Sequence, residues 1–158
     1  MAINVFTDAF RKGQFDASTA GLPVNFVSDT LGFLLVNNGA SAGGDATPDS
    51  VKRGFTFESS ITDQIGAGGG YTTRGVIVSG ITVSQTASVV TITTATNPTW
   101  PTSTITAYGG WLAKRTGSGA ATSPLVSYYT FGGTAIISTG GNFVVQIGTG
   151  GLVSVSGG

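Results

Sequence analysis

From Leu22 onward the chain is a succession of short apolar and β-branched runs cut by glycine, asparagine or proline. LPVNFV (22–27) and TLGFLLV (30–36) are broken by Asp29, and GFTFESSI (54–61) alternates its aromatics at Phe55 and Phe57. TRGVIVSG (73–80) and ITVSQTASVVTITT (81–94) are β-branched throughout. In the latter, Val89, Thr91 and Thr93 share one face, and Val90, Ile92 and Thr94 the other. STITAYGGWLAKR (103–115) reads as one long strand. PLVSYYTF (124–131), GTAIIS (133–138), GNFVVQIG (141–148) and GLVSVSG (151–157) follow as strands joined by glycine turns. A side-chain period of two belongs to strands, and turn signals roughly 8–12 residues apart mark an antiparallel sandwich or barrel. No helical period recurs after residue 20. The pattern predicts an all-β fold, an antiparallel β-sandwich of jelly-roll-like or Ig-like kind, in a single domain over residues 21–158.

Residues 1–20 read differently, as an N-terminal helix or arm. Ile3, Phe6 and Phe10, flanked by Val5 and Ala9, recur at steps of three and four and form one helical face. Arg11 and Lys12 suit the negative end of a helix dipole and Gly13 suits a stop, so a short helix is predicted over 3–12. A helix this short is not stable alone. Phe6 and Phe10 must therefore dock, either on their own domain or on a neighbouring copy.

Composition narrows the function. A chain of 158 residues buries about 68–70% of its unfolded surface and can build a core without staples. Charged residues make up 9%, against an ordinary ~25%. Net charge is zero and mean hydropathy is +0.28, a combination that folds. The surface must be made of Ser, Thr, Gly and Asn, and such a surface favours association. It lacks the Lys/Arg density that nucleic acid demands, and it has no polybasic membrane signal. No stretch is apolar over the length of a bilayer, and MAINVFTDAFRKGQFD lacks the order of a secretory signal peptide. There is no histidine and no cysteine. The usual acid–base side chain, the strongest intrinsic nucleophile, disulfides and zinc–thiolate sites are all missing. These absences point away from an enzyme, toward a structural or binding role with no cofactor.

The remaining candidates for chemistry each have a plainer reading. GAGGG (66–70) and GSGAATS (116–122) lack the Lys-Ser/Thr of a phosphate loop and the strand–helix context of a dinucleotide fingerprint, so they read as turns. Asp45 and Asp49 share the polar loop 37–50. They read as solvated acids, or as the start of a hard-cation site completed by carbonyls of Gly44 or Thr47. Asp16, Asp29, Glu58 and Asp63 are scattered, and a glycosidase-like carboxylate pair could form among them only in three dimensions. The bases fall in pairs, Arg11–Lys12, Lys52–Arg53 and Lys114–Arg115, with Arg74 alone. Such pairs are solvated strand ends that discourage edge pairing, or docking points for an acidic partner. Trp100 and Trp111 are core or interface anchors; exposed in a groove, they would stack a sugar of a host glycan.

The order of segments resembles a family of small virion structural proteins of tailed bacteriophages. The likeness rests on VFTDAFRKGQFD (5–16), the DT-initiated DTLGFLLVN (29–37) and ITDQIGAGGGYTTRGVIVSGITV (61–83). It continues in TWPTSTITAYGGWLAKRTGSGAATSPLVSYYTFG (99–132) and GGNFVVQIGTGGLVSVS (140–156). Gly32 and Phe33 depart from it, where the family often has charged or smaller residues. The resemblance implies a capsid or tail component with no catalytic residue to carry over. The expectation is a capsid decoration (cement) protein on the virion surface that binds across major capsid protein subunits as a homo-oligomer, a trimer for local three-fold positions. Its interface residues would come from Phe6, Phe10, Arg11, Lys12, Lys52, Arg53, Trp100, Lys114 and Arg115. A tail, neck or head-fibre component is the structural alternative. A carbohydrate-binding module is the alternative of another class.

Overall fold

The computed structural model describes residues 2–16, 22–40, 43–87, 89–117, 119–148 and 151–156. The largest sheet has five antiparallel strands. Their spatial order is β1 (Ala2–Phe6), β8 (Leu125–Thr130), β7 (Gly109–Lys114), β2 (Leu31–Val36) and β3 (Val76–Val78). A three-stranded sheet runs β10 (Val153–Ser156), β5 (Val89–Thr94), β4 (Ile81–Thr86), and a two-stranded ribbon pairs β6 (Thr99–Ala107) with β9 (Ile136–Val144). Two α-helices, α1 (Asp8–Asp16) and α2 (Asp49–Arg53), and two 3₁₀ turns, Glu58–Ser60 and Ala120–Thr122, complete the described elements.

β2 shows how the core is layered. Every residue of LGFLLV is buried, because both faces of the five-stranded sheet are covered. Leu31, Phe33 and Leu35 join Leu112, Val126, Tyr129, Trp100, Ile105 and Phe143 on one side. Leu34 and Val36 join Trp111, Ala113, Leu125, Tyr128 and Ile61 on the other. A strand buried on both faces loses the polar alternation of a half-exposed one, as the unbroken apolar run in TLGFLLV already shows. Gly110 permits this packing. A Cβ there would run into the Phe33 ring and stand 2.8 Å from the Leu34 carbonyl oxygen.

The all-β sandwich expected from the sequence is not what forms. The fold is mixed α/β with separate, unclosed sheets. The second face of the main sheet is covered by the segment around residues 43–61, which carries α2 and the first 3₁₀ turn, and not by another sheet. Short polar stretches such as ATPDSVKRG hide a one-turn helix that has no apolar period to reveal it. Around that turn, the buried carboxylate of Glu58 ties to Arg74, to Arg115 and, through Arg74, to Ser123 beside the second 3₁₀ turn.

The N-terminal segment also differs. Ala2–Phe6 is not helical but pairs antiparallel with β8, and the helix begins only at Asp8. Thr7 marks the change. Its Oγ1 accepts from the Phe10 amide (3.1 Å) and donates to the Leu125 carbonyl (2.9 Å), which caps α1 and pins its start to β8. Gly13 does not stop the helix. It lies inside it, where a Cβ would strike Leu22. Residues 22–27 form no strand: Asn25 accepts from the amides of Val27 and Ser28 in a side-chain-closed turn. The run 103–115 divides at Tyr108 into β6 and β7, whereas the two strands read at 133–138 and 141–148 merge into β9.

Candidate interaction surface

Most of the charged and aromatic residues singled out by the sequence turn inward. Phe10 is buried, stacks on Phe6 at 5.6 Å and meets Phe26 edge-on at 6.1 Å, so within this chain the helix docks on its own core. Arg11 pairs with Asp8 on the exposed side of α1, and Lys12 and Arg53 are exposed. Trp100 and Trp111 are 1% and 0% exposed. Trp100 packs with Tyr71 and Phe143, each at 5.8 Å. Trp111 donates its indole N–H to the Gly43 carbonyl at 2.8 Å and leans on Tyr128. Neither indole offers a face for a sugar to stack on.

Lys52 is the least expected of these. It is 1% exposed, with Nζ 3.8 Å from the Tyr128 ring centroid and 3.0 Å from the Asp45 carbonyl oxygen. Burial pulls its ammonium below the ordinary lysine range, against the opposing pull of Asp49 and Asp45. Asp45 is held by the hydroxyls of Tyr128 and Thr130, the latter at 2.8 Å. Burial first, and then the neighbouring Asp45, pushes the Tyr128 phenol up. The loop acid read as solvated or metal-binding thus closes a polar clasp between the 43–61 segment and β8. Among the described residues no group of three or more His, Cys, Asp or Glu could hold a metal ion.

The other bases brace the fold. Arg74 donates to Glu58 through Nε (3.0 Å) and Nη2 (3.1 Å) and to Ser123 Oγ at 2.7 Å; Arg115 donates to Glu58 from the other side. Glu58 is 2% exposed, so this bond set is shielded from water. Lys114 pairs with Asp29 at 2.9 Å and donates to the Pro23 carbonyl at 3.1 Å. The three base pairs do not converge on one face. Each contributes a member to an internal tie or to a local ion pair.

The open surface is of another kind. All seven acids lie within residues 1–63, and from Gly75 onward the only charged side chains are Lys114 and Arg115. β4, β5, β6, β9 and β10 therefore carry no charge. β4 is exposed at five of six positions, and most of β9 is exposed. Val83, Ile136, Ile137 and Val144 are exposed apolar side chains on these strands. Beside β9 lies a groove of about 560 Å³, lined by Thr130, Phe131, Gly132, Ile136, Val144, Val145 and Gln146. Sequence reasoning concentrated on the rare charges and missed this surface. Its signal was the place where charges are absent.

No protein-family model matches the chain, and the searches of curated proteins and of solved structures likewise return no match.

Proposed function

We propose that the chain is a non-enzymatic structural component of a bacteriophage virion, a decoration protein that binds over the joints between major capsid protein subunits. One observation carries the reading: the ribbons facing water are uncharged and bear exposed apolar side chains. The scarce charges, in contrast, are largely spent on internal ties. A surface without charge neither steers nor repels; it favours contact with equally neutral protein. The resemblance of the segment order to that of small virion proteins supplies the setting. Decoration would work by adding buried interface across a shell. Specific contacts typically bury about 1,200–2,000 Å², and repetition over many copies multiplies a modest affinity. A trimer would match local three-fold positions.

The test is quantitative mass spectrometry of purified particles separated into heads and tails. The reading predicts the chain in heads, in stoichiometric proportion to the major capsid protein. Recovery in tails alone would move it to a tail or neck role, and absence from both would overturn the reading.

A further inference from the structure

We propose that two copies of the chain pair edge to edge through β4, antiparallel about a two-fold axis at Val83. β4 is the outer strand of its sheet, with only β5 beside it among the described residues. Its register with β5 is unbroken from Ile81↔Thr94 to Thr86↔Val89. The Ala95 amide donates to the Gly80 carbonyl at 2.9 Å. The antiparallel ladder alternates, so Thr82, Ser84 and Thr86 direct their backbone groups to β5, and Ile81, Val83 and Gln85 direct theirs to the open edge. Those outward residues are self-complementary. With Val83 opposite Val83 of the second copy, Ile81 falls opposite Gln85 and Gln85 opposite Ile81, and each pair exchanges both backbone bonds.

Of the other open strands, β1, β3, β6 and β9 carry devices that protect an edge. β10, at the far side of the same sheet as β4, is regular and uncharged but only four residues long. β4 is longer and has no such device. β1 has a register shift between Ile3 and Val5. The β6–β9 ribbon shifts register twice, and Gly140 in β9 sits at φ 72°. β3 is only three residues long. Bulges and short strands discourage edge pairing, as do charges and proline. β4 is regular and has neither a charge nor a proline. Net charge is zero, so a second copy meets no repulsion. Val83, 47% exposed, would gain the matching Val83 as its cross-strand neighbour. The occupant is a second copy because the edge matches itself in both register and neutrality. The contact is two-fold, so a trimer on a shell would use a different surface.

The chain has no cysteine, which makes a single Val83→Cys substitution a clean probe. Directly opposed residues of such a pair stand ~5.5 Å apart at Cα, within disulfide reach. Ile77→Cys on β3, 57% exposed, is the control for exposure. Under mild oxidation Val83→Cys should form a covalent dimer and Ile77→Cys should not. In sedimentation equilibrium the unsubstituted chain should show a dimer fraction rising with concentration. Val83→Lys, with its fold verified by circular dichroism, should weaken that association about tenfold or more. A Val83→Cys chain that stays monomeric, equal cross-linking of both cysteine variants, or a Lys variant that associates as before would each overturn the pairing. A monomer in solution would leave the proposed place on the particle untouched, and absence from particles would leave the pairing untouched.

Discussion

Glu58→Gln tests whether the scarce charges hold the fold together. The carboxylate side chain is 1% exposed, with Arg115 at 9% and Arg74 at 30%. The substitution keeps shape and volume, but it replaces one accepting oxygen with an N–H₂ that faces guanidinium donors. Arg115 is then left buried without its counter-charge. Breaking a buried ion pair from one side costs about 3–5 kcal/mol. For a chain of this length each kcal/mol shifts the melting temperature by about 2–4 °C, so the loss should be roughly 6–20 °C. Urea unfolding followed by tryptophan fluorescence gives the free energy directly, since both indoles lie in the core. Asp8→Asn, which breaks an exposed pair on α1, is the reference and should cost less than ~1 kcal/mol. Within the network, Arg115→Met should cost more than Arg74→Met because Arg115 is the more deeply buried. A Glu58→Gln cost equal to that of Asp8→Asn would refute the reasoning.

Other perturbations address separate parts of the account. Gly110→Ala should lose about 1–3 kcal/mol in the same unfolding assay, because the added methyl meets the Phe33 ring and fixed backbone. Tyr128→Phe should lose about 1.5–3 kcal/mol by taking a hydroxyl from the Asp45 carboxylate. Thr102 is β-branched at φ 49°, so Thr102→Gly should raise stability by about 1 kcal/mol. Burial raises the phenols of Tyr71, Tyr128 and Tyr129 above the ordinary tyrosine value of 10.0. Their folded values exceed the unfolded ones, so this contribution is complete below about pH 10 and declines as pH rises above it. Phenolate absorbance from these three should appear together with loss of tryptophan packing, and ionisation before unfolding would contradict their burial.

Much of the strand content was legible in the sequence, and the reason is local. β-branched alternation reveals the strand character of 81–94, and glycine and proline punctuation that of β8, because those signals arise within a few residues. In contrast, 81–94 and 103–115, each read as a single run, divide into two strands. Chain closure into a sandwich is not a local property. It failed here because the 43–61 segment, polar and irregular, takes the place a second sheet would have filled. Ile3, Phe6 and Phe10 fit a helical step, yet Ala2–Phe6 is a strand because β8 offers an edge. The apolar face begins to act as a helix only after Thr7. Lys52 and Asp45 looked solvated because nothing in their neighbourhood predicts Tyr128, which lies far along the chain. Trp100 and Trp111 suit core or interface anchors equally well by sequence. Both are packed inside the chain, so Trp100 is not available as the surface contact expected of it.

The central claim is that the uncharged ribbons, not the charged N-terminal half, make the contacts by which the protein works. Amide hydrogen exchange of the free chain against the chain on purified particles tests it most directly. With the free chain held dilute enough to be monomeric, the account predicts new protection in Ile81–Thr86 and Ile136–Val144, with α1 and α2 unchanged. Protection confined to the helices, with both ribbons exchanging as in the free chain, would contradict it.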